Sequence, residues 1–370
     1  MKIAYIYANL PQYRKDFFNN LSLSLQNDNI ELSVLHGTNL DKKIVKQDNV
    51  GEFKRIFFKS YSKKLISLNL TFIRGLYKYF LNNNYDAMVI SYMSTNITML
   101  RIVLYCLVKK IPYATWRCGY NRSDYSNLSS KIRYLLISFV EKKAAYNITY
   151  GSFYKKELIK KGINSDQIII AQNTINVDYI LKKNMNINKL FSSKTKILFV
   201  GAIIKGKLLK SSINAVKKLY DKGYEIVFDI VGDGEILDDL KKYVQKMAID
   251  DIVIFHGPKY NDDSIKYFRE ADVFLLAGTG GLAINEAMAY GLSIITTNAD
   301  GTGCDLIDGN GYYMENMGDS ELQYEMLKKF INLSDEDKIE MSNRSKEIIK
   351  KKASLLNMVN KHKITCENMM

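Results

Sequence analysis

Residues 272–297 read DVFLLAGTGGLAINEAMAYGLSIITT, and the fold turns on this stretch. Residues 273–277 are a short, unbroken apolar run, the composition of a strand buried on both faces of a parallel sheet. The turn Gly278-Thr279-Gly280-Gly281 follows, and Leu282, Ala283, Ala287, Met288 and Tyr290 then recur on one face of a helix that Gly291 closes. Residues 293–297 return to strand. A strand, a glycine turn, a helix and a strand make a βαβ unit, which implies a parallel sheet. Such a turn bares backbone N–H groups at the head of a helix, an arrangement that suits a phosphate or pyrophosphate. Glu286, inside the helix, is spaced to reach a hydroxyl beside that phosphate. Taken alone, the stretch reads equally as an ordinary glycine turn followed by a solvated glutamate.

The same rhythm precedes it. Residues 197–200 read as strand, Gly201 as turn, 207–222 as helix and 226–231 as strand; Gly232-Asp233-Gly234 then opens a helix over 236–247, and 252–255 is a strand leading to HGPKYND. A helix over 264–270 reaches the opening stretch. Toward the N-terminus, 2–7 and 30–35 are strands flanking a helix over 15–25, and 87–91 and 112–116 are strands flanking a helix over 97–108. The last of these runs into TWRCGYNRSDY, where Trp116, Arg117, Gly119 and Arg122 crowd a strand's carboxyl end, the place where open α/β sheets bind ligands. A helix over 131–145, a strand over 147–150, a helix over 155–161 and a strand over 168–171 complete that half. Residues 172–196 are polar, asparagine-rich and without period. The expected fold is α/β, two doubly wound Rossmann-like domains facing across a cleft. Their bounds are 1–175 for the N-terminal domain, 176–195 for a linker and 196–345 for the C-terminal domain. A helical tail over 346–370 packs back on the first domain; 319–352 reads as helix and the last residues as frayed.

Composition limits what such a chain does. At 370 residues, 47% hydrophobic and 25% charged, it can build two cores and is not a disordered chain. Its four cysteines, Cys106, Cys118, Cys304 and Cys366, are scattered, which excludes a disulfide framework and reads as reduced cytoplasmic thiols. The apolar runs at 100–108 and 134–140 are broken or bounded by charge and too short to span a bilayer, and with the strand at 2–7 entering the fold pattern directly no signal peptide is expected. Residues 1–190 hold 29 Lys+Arg against 12 Asp+Glu, a balance of +17, and the remainder carries −3. Either one half meets a polyanion, an anionic membrane or nucleic acid, or its composition is simply lysine-rich. Within that half, 53–81 interleaves Lys54, Arg55, Lys59, Lys63, Lys64, Arg74 and Lys78 with Phe57, Phe58, Tyr61, Phe72, Tyr77 and Phe80. Three readings stay open for it: a surface lying on an anionic bilayer, a grip on single-stranded nucleic acid, or a strand and a helix whose aromatics face the core.

The histidines, His36, His256 and His362, sit beside no matching carboxylate or second histidine, so neither a metal site nor a Ser-His-Asp arrangement is expected. No Asp-x-Asp follows an apolar strand; Asp335 and Asp337 have that spacing but open a polar helix.

In order, ILFVGAIIKGKLLKSSINAVKKL, FDIVGDGEILDDL, VIFHGPKYNDD and ADVFLLAGTGGLAINEAMAYGLSIITT resemble the landmarks of glycosyltransferase family 4, the retaining nucleotide-sugar enzymes of the GT-B fold. PQYRKDFFNNL and YGSFYKKELIKKGINSDQIIIAQNTIN are similar to stretches of the N-terminal domain in members that build bacterial surface polysaccharides. The resemblance implies that Lys207 is the phosphate-binding lysine and that Glu286 is the second glutamate of a paired motif, holding the donor ribose. It implies further that Gly280, Gly281 and Leu282 face the diphosphate and that 256–260, with His256 and Gly257, edges the base. Gly201, Lys205, Gly232, Asp233 and Gly278 complete the donor-binding candidates, and Lys207, Glu286 and Arg117 are the candidates for catalysis. The first glutamate of the pair falls at Gly278 and an expected arginine at Ala202. Lys205, Arg117 or Arg122 is then the source of the missing positive charge. The implied activity is transfer of a hexose-type sugar from a UDP- or GDP-sugar to a lipid-linked saccharide in lipopolysaccharide, O-antigen or capsule synthesis. It implies a metal-independent enzyme held peripherally on the cytoplasmic face of the membrane through its basic half. A sugar-nucleotide epimerase of the same fold and a nucleic-acid-binding protein are the competing readings; the latter leaves the glycine turns and Glu286 without a role.

Overall fold

The apolar runs become the strands of two parallel sheets, each in its own unit. The computed structural model describes residues 1–38, 53–65, 68–118, 128–184, 189, 191–260, 262–297 and 301–370. One unit is Met1–Gln172 together with Leu355–Met370; the other is Asn173–Ser354.

In the first unit the described strands are β1 (Lys2–Tyr7), β2 (Glu31–Gly37), β3 (Lys54–Phe58), the hairpin pair β4 (Ser60–Leu65) and β5 (Leu68–Ile73), then β6 (Ala87–Ile90), β7 (Tyr113–Arg117), β8 (Tyr146–Thr149) and β9 (Ile168–Ile170). Its sheet has the order β3-β2-β1-β6-β7-β8-β9, parallel throughout. The helices are α1 (Lys15–Gln26), α2 (Leu76–Asn82), α3 (Ile97–Lys109), α4 (Leu128–Lys143) and α5 (Ser152–Lys160). Helix α1 buries Phe17, Phe18, Leu21 and Leu25, the face its spacing predicts.

The second unit begins with α6 (Val177–Lys183) and continues with β10 (Thr195–Val200), α7 (Leu209–Asp221), β11 (Ile226–Val231), α8 (Leu237–Lys246), β12 (Val253–Gly257), α9 (Asp262–Glu270), β13 (Val273–Leu276), α10 (Ala283–Ala289), β14 (Ser293–Thr297), α11 (Gly303–Leu306), β15 (Gly311–Met314), α12 (Ser320–Ile331) and α13 (Asp335–Lys352). Its sheet order is β12-β11-β10-β13-β14-β15, again parallel. All four side chains of β13 are buried, each contributing about 1.5–3 kcal/mol of apolar burial, so the decisive run is the centre of this core.

Four expectations change. The basic-aromatic stretch at 53–81 holds a strand, a two-stranded antiparallel hairpin and a helix. Tyr61 stacks on Phe72 across the hairpin at 5.2 Å, a cross-strand aromatic pair whose period the intervening lysines hide. The expected linker carries α6, which Asn176 caps by accepting from the Tyr179 N–H and which buries Val177. Asparagines that read as loop are here serving as helix ends. The helix over 319–352 is two helices, because Ser334 accepts from the Asp337 N–H and starts a new one. The last residues are not frayed: α14 (Leu355–Glu367) buries Met358, Val359, His362 and Cys366 in the first unit's core. Its His362 Nδ1 lies 3.0 Å from the Tyr5 hydroxyl.

Candidate functional site

In the second sheet the chain order reverses between β10 and β13, neighbours in the sheet. Loops leaving two such strands run in opposite directions and open a crevice at their carboxyl ends. The donor candidates read from the sequence all belong to this end of the sheet except Arg117.

After β10 the chain turns at Gly201 and makes a single 3-10 turn at Lys205–Lys207. After β13 comes the turn that begins at Gly278. The two loops are joined by the Thr279 N–H donating to the Gly206 carbonyl at 2.8 Å and by Lys207, whose buried Nζ donates to the Thr279 and Gly280 carbonyls, each at 2.6 Å. A cation held on two successive carbonyls fixes the peptide planes between them, so Lys207 sets the shape of the glycine turn. Gly278 is what permits the approach: a Cβ there would lie 2.3 Å from the Gly206 carbonyl oxygen and 2.5 Å from the Lys207 carbonyl carbon. The glutamate that the family pattern puts at this position has no space in this arrangement.

The neighbouring loop is knit in the same way. Gly232, at φ +151°, donates its N–H to the Gly257 carbonyl at 2.9 Å, and a Cβ on it would sit 1.9 Å from the Gly201 carbonyl oxygen. Gly201 donates to Val231 and Ile203 to the Asp233 carbonyl, at 3.0 and 2.8 Å, while the Asp233 carboxylate accepts from the Gly234 N–H at 2.8 Å. These glycines therefore spend their backbone groups inside the protein. The turn after β13 does not: among the described residues the N–H groups of Gly280, Gly281 and Leu282 have no protein acceptor. Three consecutive free donors form a cradle for an oxyanion.

Glu286 stands on α10, one turn beyond the cradle. Among the described residues its half-buried carboxylate has no hydrogen-bond or ionic partner, and burial pushes its pKa up to about 7. A carboxylate so placed is available to hydroxyl groups of a ligand. At seven residues α10 is shorter than the sequence suggests, so the turn's own N–H groups outweigh a macrodipole here.

At the end of β12, His256 Nε2 lies 2.6 Å from Asp229 Oδ1 on β11, and its ring stands 4.5 Å from that of Tyr267. The sequence does not reveal this partner, because residues 27 apart meet only through the register of two strands. Nor does it reveal Asn285, which is buried and donates to the Asn173 carbonyl at 2.9 Å, tying α10 to the chain entering this unit. Lys205 and Ala202 are exposed. Arg117 belongs to the first unit, at the end of β7, where its Nη1 is 3.8 Å from the buried Glu141 carboxylate. Gly119 and Arg122 lie outside the described residues. Among the described residues no group of three His, Cys, Asp or Glu side chains is placed to hold a metal ion.

Residues 182–352 match the family described as glycosyl transferases group 1. An uncharacterized glycosyltransferase of Methanocaldococcus jannaschii, MJ1069, is 25% identical over 202 residues, 52% of this chain and 50% of the relative. The capsular polysaccharide biosynthesis glycosyltransferase CapM of Staphylococcus aureus is 26% identical over 151 residues, 39% of each chain. The matched part of the chain thus spans half or less of these relatives. The crystal structure of HepE from Anabaena in complex with UDP superposes on the whole chain, covering 100% of both with a TM-score of 0.71 at 12% identity. At that identity the likeness is one of fold, and the fold is GT-B.

Proposed function

We propose that the chain, whose residues 182–352 match the group 1 glycosyl transferases, moves a sugar from a UDP- or GDP-sugar to a lipid-linked saccharide with retention at the anomeric carbon. The setting of this reading is the assembly of a bacterial surface polysaccharide, lipopolysaccharide, O-antigen or capsule, at the cytoplasmic face of the membrane. No described helix is long and apolar enough to cross a bilayer, and the reading asks only for peripheral attachment.

One observation carries the proposal: three N–H groups, Gly280 to Leu282, stand one helical turn from the Glu286 carboxylate, and among the described residues none of the four has a partner. A nucleoside diphosphate offers the complement to both, phosphate oxygens for the donors and ribose hydroxyls for the acceptor. When the bond between the sugar's anomeric carbon and the diphosphate breaks, negative charge grows on the leaving oxygen. Donors already fixed in place stabilise that charge more than they stabilise the bound substrate. Lys207 keeps the donors aimed through the two carbonyls it holds and adds its positive charge nearby. The reading assigns no step to a metal ion. The acceptor hydroxyl attacks from the face the diphosphate leaves and gives its proton to the departing phosphate oxygen there, which gives retention. HepE having been solved with UDP supports the donor class, and the naming of CapM for capsular polysaccharide supports the product class.

The test is thermal unfolding of the whole protein with UDP, GDP and their sugars, repeated with Glu286→Ala. One base series is expected to raise the melting temperature, a ligand at 100 times its Kd adding about 2.7 kcal/mol to stability, and the variant is expected to lose most of that gain. Indifference to every nucleotide would rule out the donor site.

A further inference from the structure

The chain order of the first sheet also reverses, between β1 and β6, and the loop leaving β1 ends in a short 3-10 turn, Gln12–Arg14. Arg14 is 1% exposed. Its guanidinium lies 4.4 Å over the Trp116 ring and donates from Nη2 to the Tyr150 hydroxyl at 2.9 Å and from Nη1 to the Met358 sulfur at 3.4 Å. Among the described residues no carboxylate pairs with it, whereas Lys161 and Arg117 of the same unit have Glu141. Neither phenol beside it supplies the missing charge, because burial holds the Tyr7 hydroxyl well above its ordinary range and pushes Tyr150 up to about 12. Aromatic faces repay part of what a guanidinium loses on leaving water, but a buried charge ordinarily also has a counter-ion.

Unused donors surround the same point. Among the described residues Arg14 Nε, Trp116 Nε1 and the Tyr7 hydroxyl are buried without a hydrogen-bond partner, and the Tyr7 ring stands 5.5 Å from that of Trp116. A cation and three open donors are thus gathered about one indole, at the carboxyl ends of β1 and β7, and groups so placed ask for an acceptor. We infer that the side chains around Arg14 receive an oxyanion carried by the saccharide acceptor, a sugar carboxylate or a phosphate ester. The guanidinium and the indole N–H suit such a group, the first by charge and by its fork of N–H bonds, the second as a donor with no accepting atom. A neutral sugar would leave the charge uncompensated, and a cationic one would be repelled. Entry falls to Tyr13, which is 41% exposed and whose ring lies 5.1 Å from the guanidinium. Its 3-10 turn has no side-chain cap and is closed by the Arg14 N–H donating to the Pro11 carbonyl at 3.1 Å, so little structure is lost when the ring swings aside. The inference deepens the proposed transfer and rests on it for the acceptor being a saccharide.

Trp116, the chain's one tryptophan, makes the site its own reporter. The experiment is titration of the full chain with glucuronate, glucose 6-phosphate, glucose and inorganic phosphate at fixed chloride, followed by tryptophan emission. A saturating change is expected with glucuronate or with glucose 6-phosphate and none with glucose, and the tighter of the two names the oxyanion. Arg14→Met is expected to bind it at least about tenfold more weakly, with a urea midpoint at or above that of the wild type, because the charge it removes has no counter-ion to lose. Tyr7→Phe, which removes one oxygen and nothing else, is expected to weaken binding about threefold or more and to keep the wild-type midpoint. If Arg14→Met fails to fold, Tyr7→Phe decides. No response to either anionic sugar, an equal response to glucose, wild-type binding by Tyr7→Phe, or inorganic phosphate binding as tightly as the anionic sugars would each overturn the inference. Nucleotide stabilisation that persists without oxyanion binding sinks this inference alone; oxyanion binding without nucleotide stabilisation sinks the donor reading alone.

Discussion

The two sheets share one strand order up to their last strands, yet their carboxyl ends are finished differently. In the second unit the ends of β10, β11 and β13 are lined by glycine and meet backbone to backbone, which leaves three N–H groups bare. In the first unit the carboxyl ends of β1, β7 and β8 are filled with large side chains. Tyr7, Trp116 and Tyr150 pack around Arg14, which is 1% exposed, lies 4.4 Å over the Trp116 ring and donates to the Tyr150 hydroxyl at 2.9 Å. On the other face Arg117 and Lys161 share the buried Glu141, with Lys161 Nζ at 2.9 Å and Tyr154 donating to the same carboxylate. Burial, and after it that carboxylate, push the Tyr154 phenol well up. Topology thus fixes where a ligand can sit, and the residues at the turns decide whether backbone or side chains receive it.

The contrast is sharpest if its two extremes are removed in turn. Glu141→Leu should destabilise the first unit by about 3–5 kcal/mol, because it strands Lys161 and Arg117 beside an apolar core. Urea unfolding followed through Trp116, the chain's one tryptophan, reads that unit directly; a loss below about 1 kcal/mol would mean the network behaves as solvated surface. Gly278→Ala should cost about 1–3 kcal/mol through overpacking against Gly206 and Lys207, and Gly278→Glu should weaken nucleotide stabilisation instead of restoring a lost ligand. A stable Gly278→Glu protein with tighter nucleotide binding would show that the two loops part easily and that the backbone-lined end is less constrained than it looks. The smallest effect is pH-dependent. Glu286, raised from 4.5 to about 7, binds more protons in the folded than in the unfolded chain between those values. Its contribution is therefore full below pH 4.5 and lost as pH rises through 7. Allowing for its partial exposure, Glu286→Gln should flatten the stability profile over that window by about 1–2 kcal/mol. An identical profile in the variant would place the carboxylate in bulk solvent.

What the sequence discloses is what local pattern can encode. The run at 273–276, the closing Gly291 and the apolar face of α10 are all within one turn of the residues they govern, so strand, helix and turn are legible. Gly278 is legible as a turn residue but not as a contact, since the atoms that exclude a side chain belong to residues 206 and 207, more than seventy positions earlier. Lys207 is legible as a cation near phosphates but not as the tie across Thr279 and Gly280. The Asp229 partner of His256 depends on register, and the outward apolar stripe of α4 depends on knowing which side of the helix the sheet covers. Leu128, Ile132, Leu135 and Phe139 have the spacing of a core face, and only the burial of Ile137 and Val140 shows that the core lies on the other side.

The chain leaves the first unit at Gln172 and re-enters it at Leu355. On the ribosome this makes assembly order differ from sequence order. The second unit has all its strands and helices once α13 has emerged, whereas the first waits for α14 to bring Met358, Val359 and Cys366 onto α1 and β1. Until then the nascent first unit exposes part of the apolar face around Tyr5, Phe17 and Trp116, the species a holding chaperone would recognise.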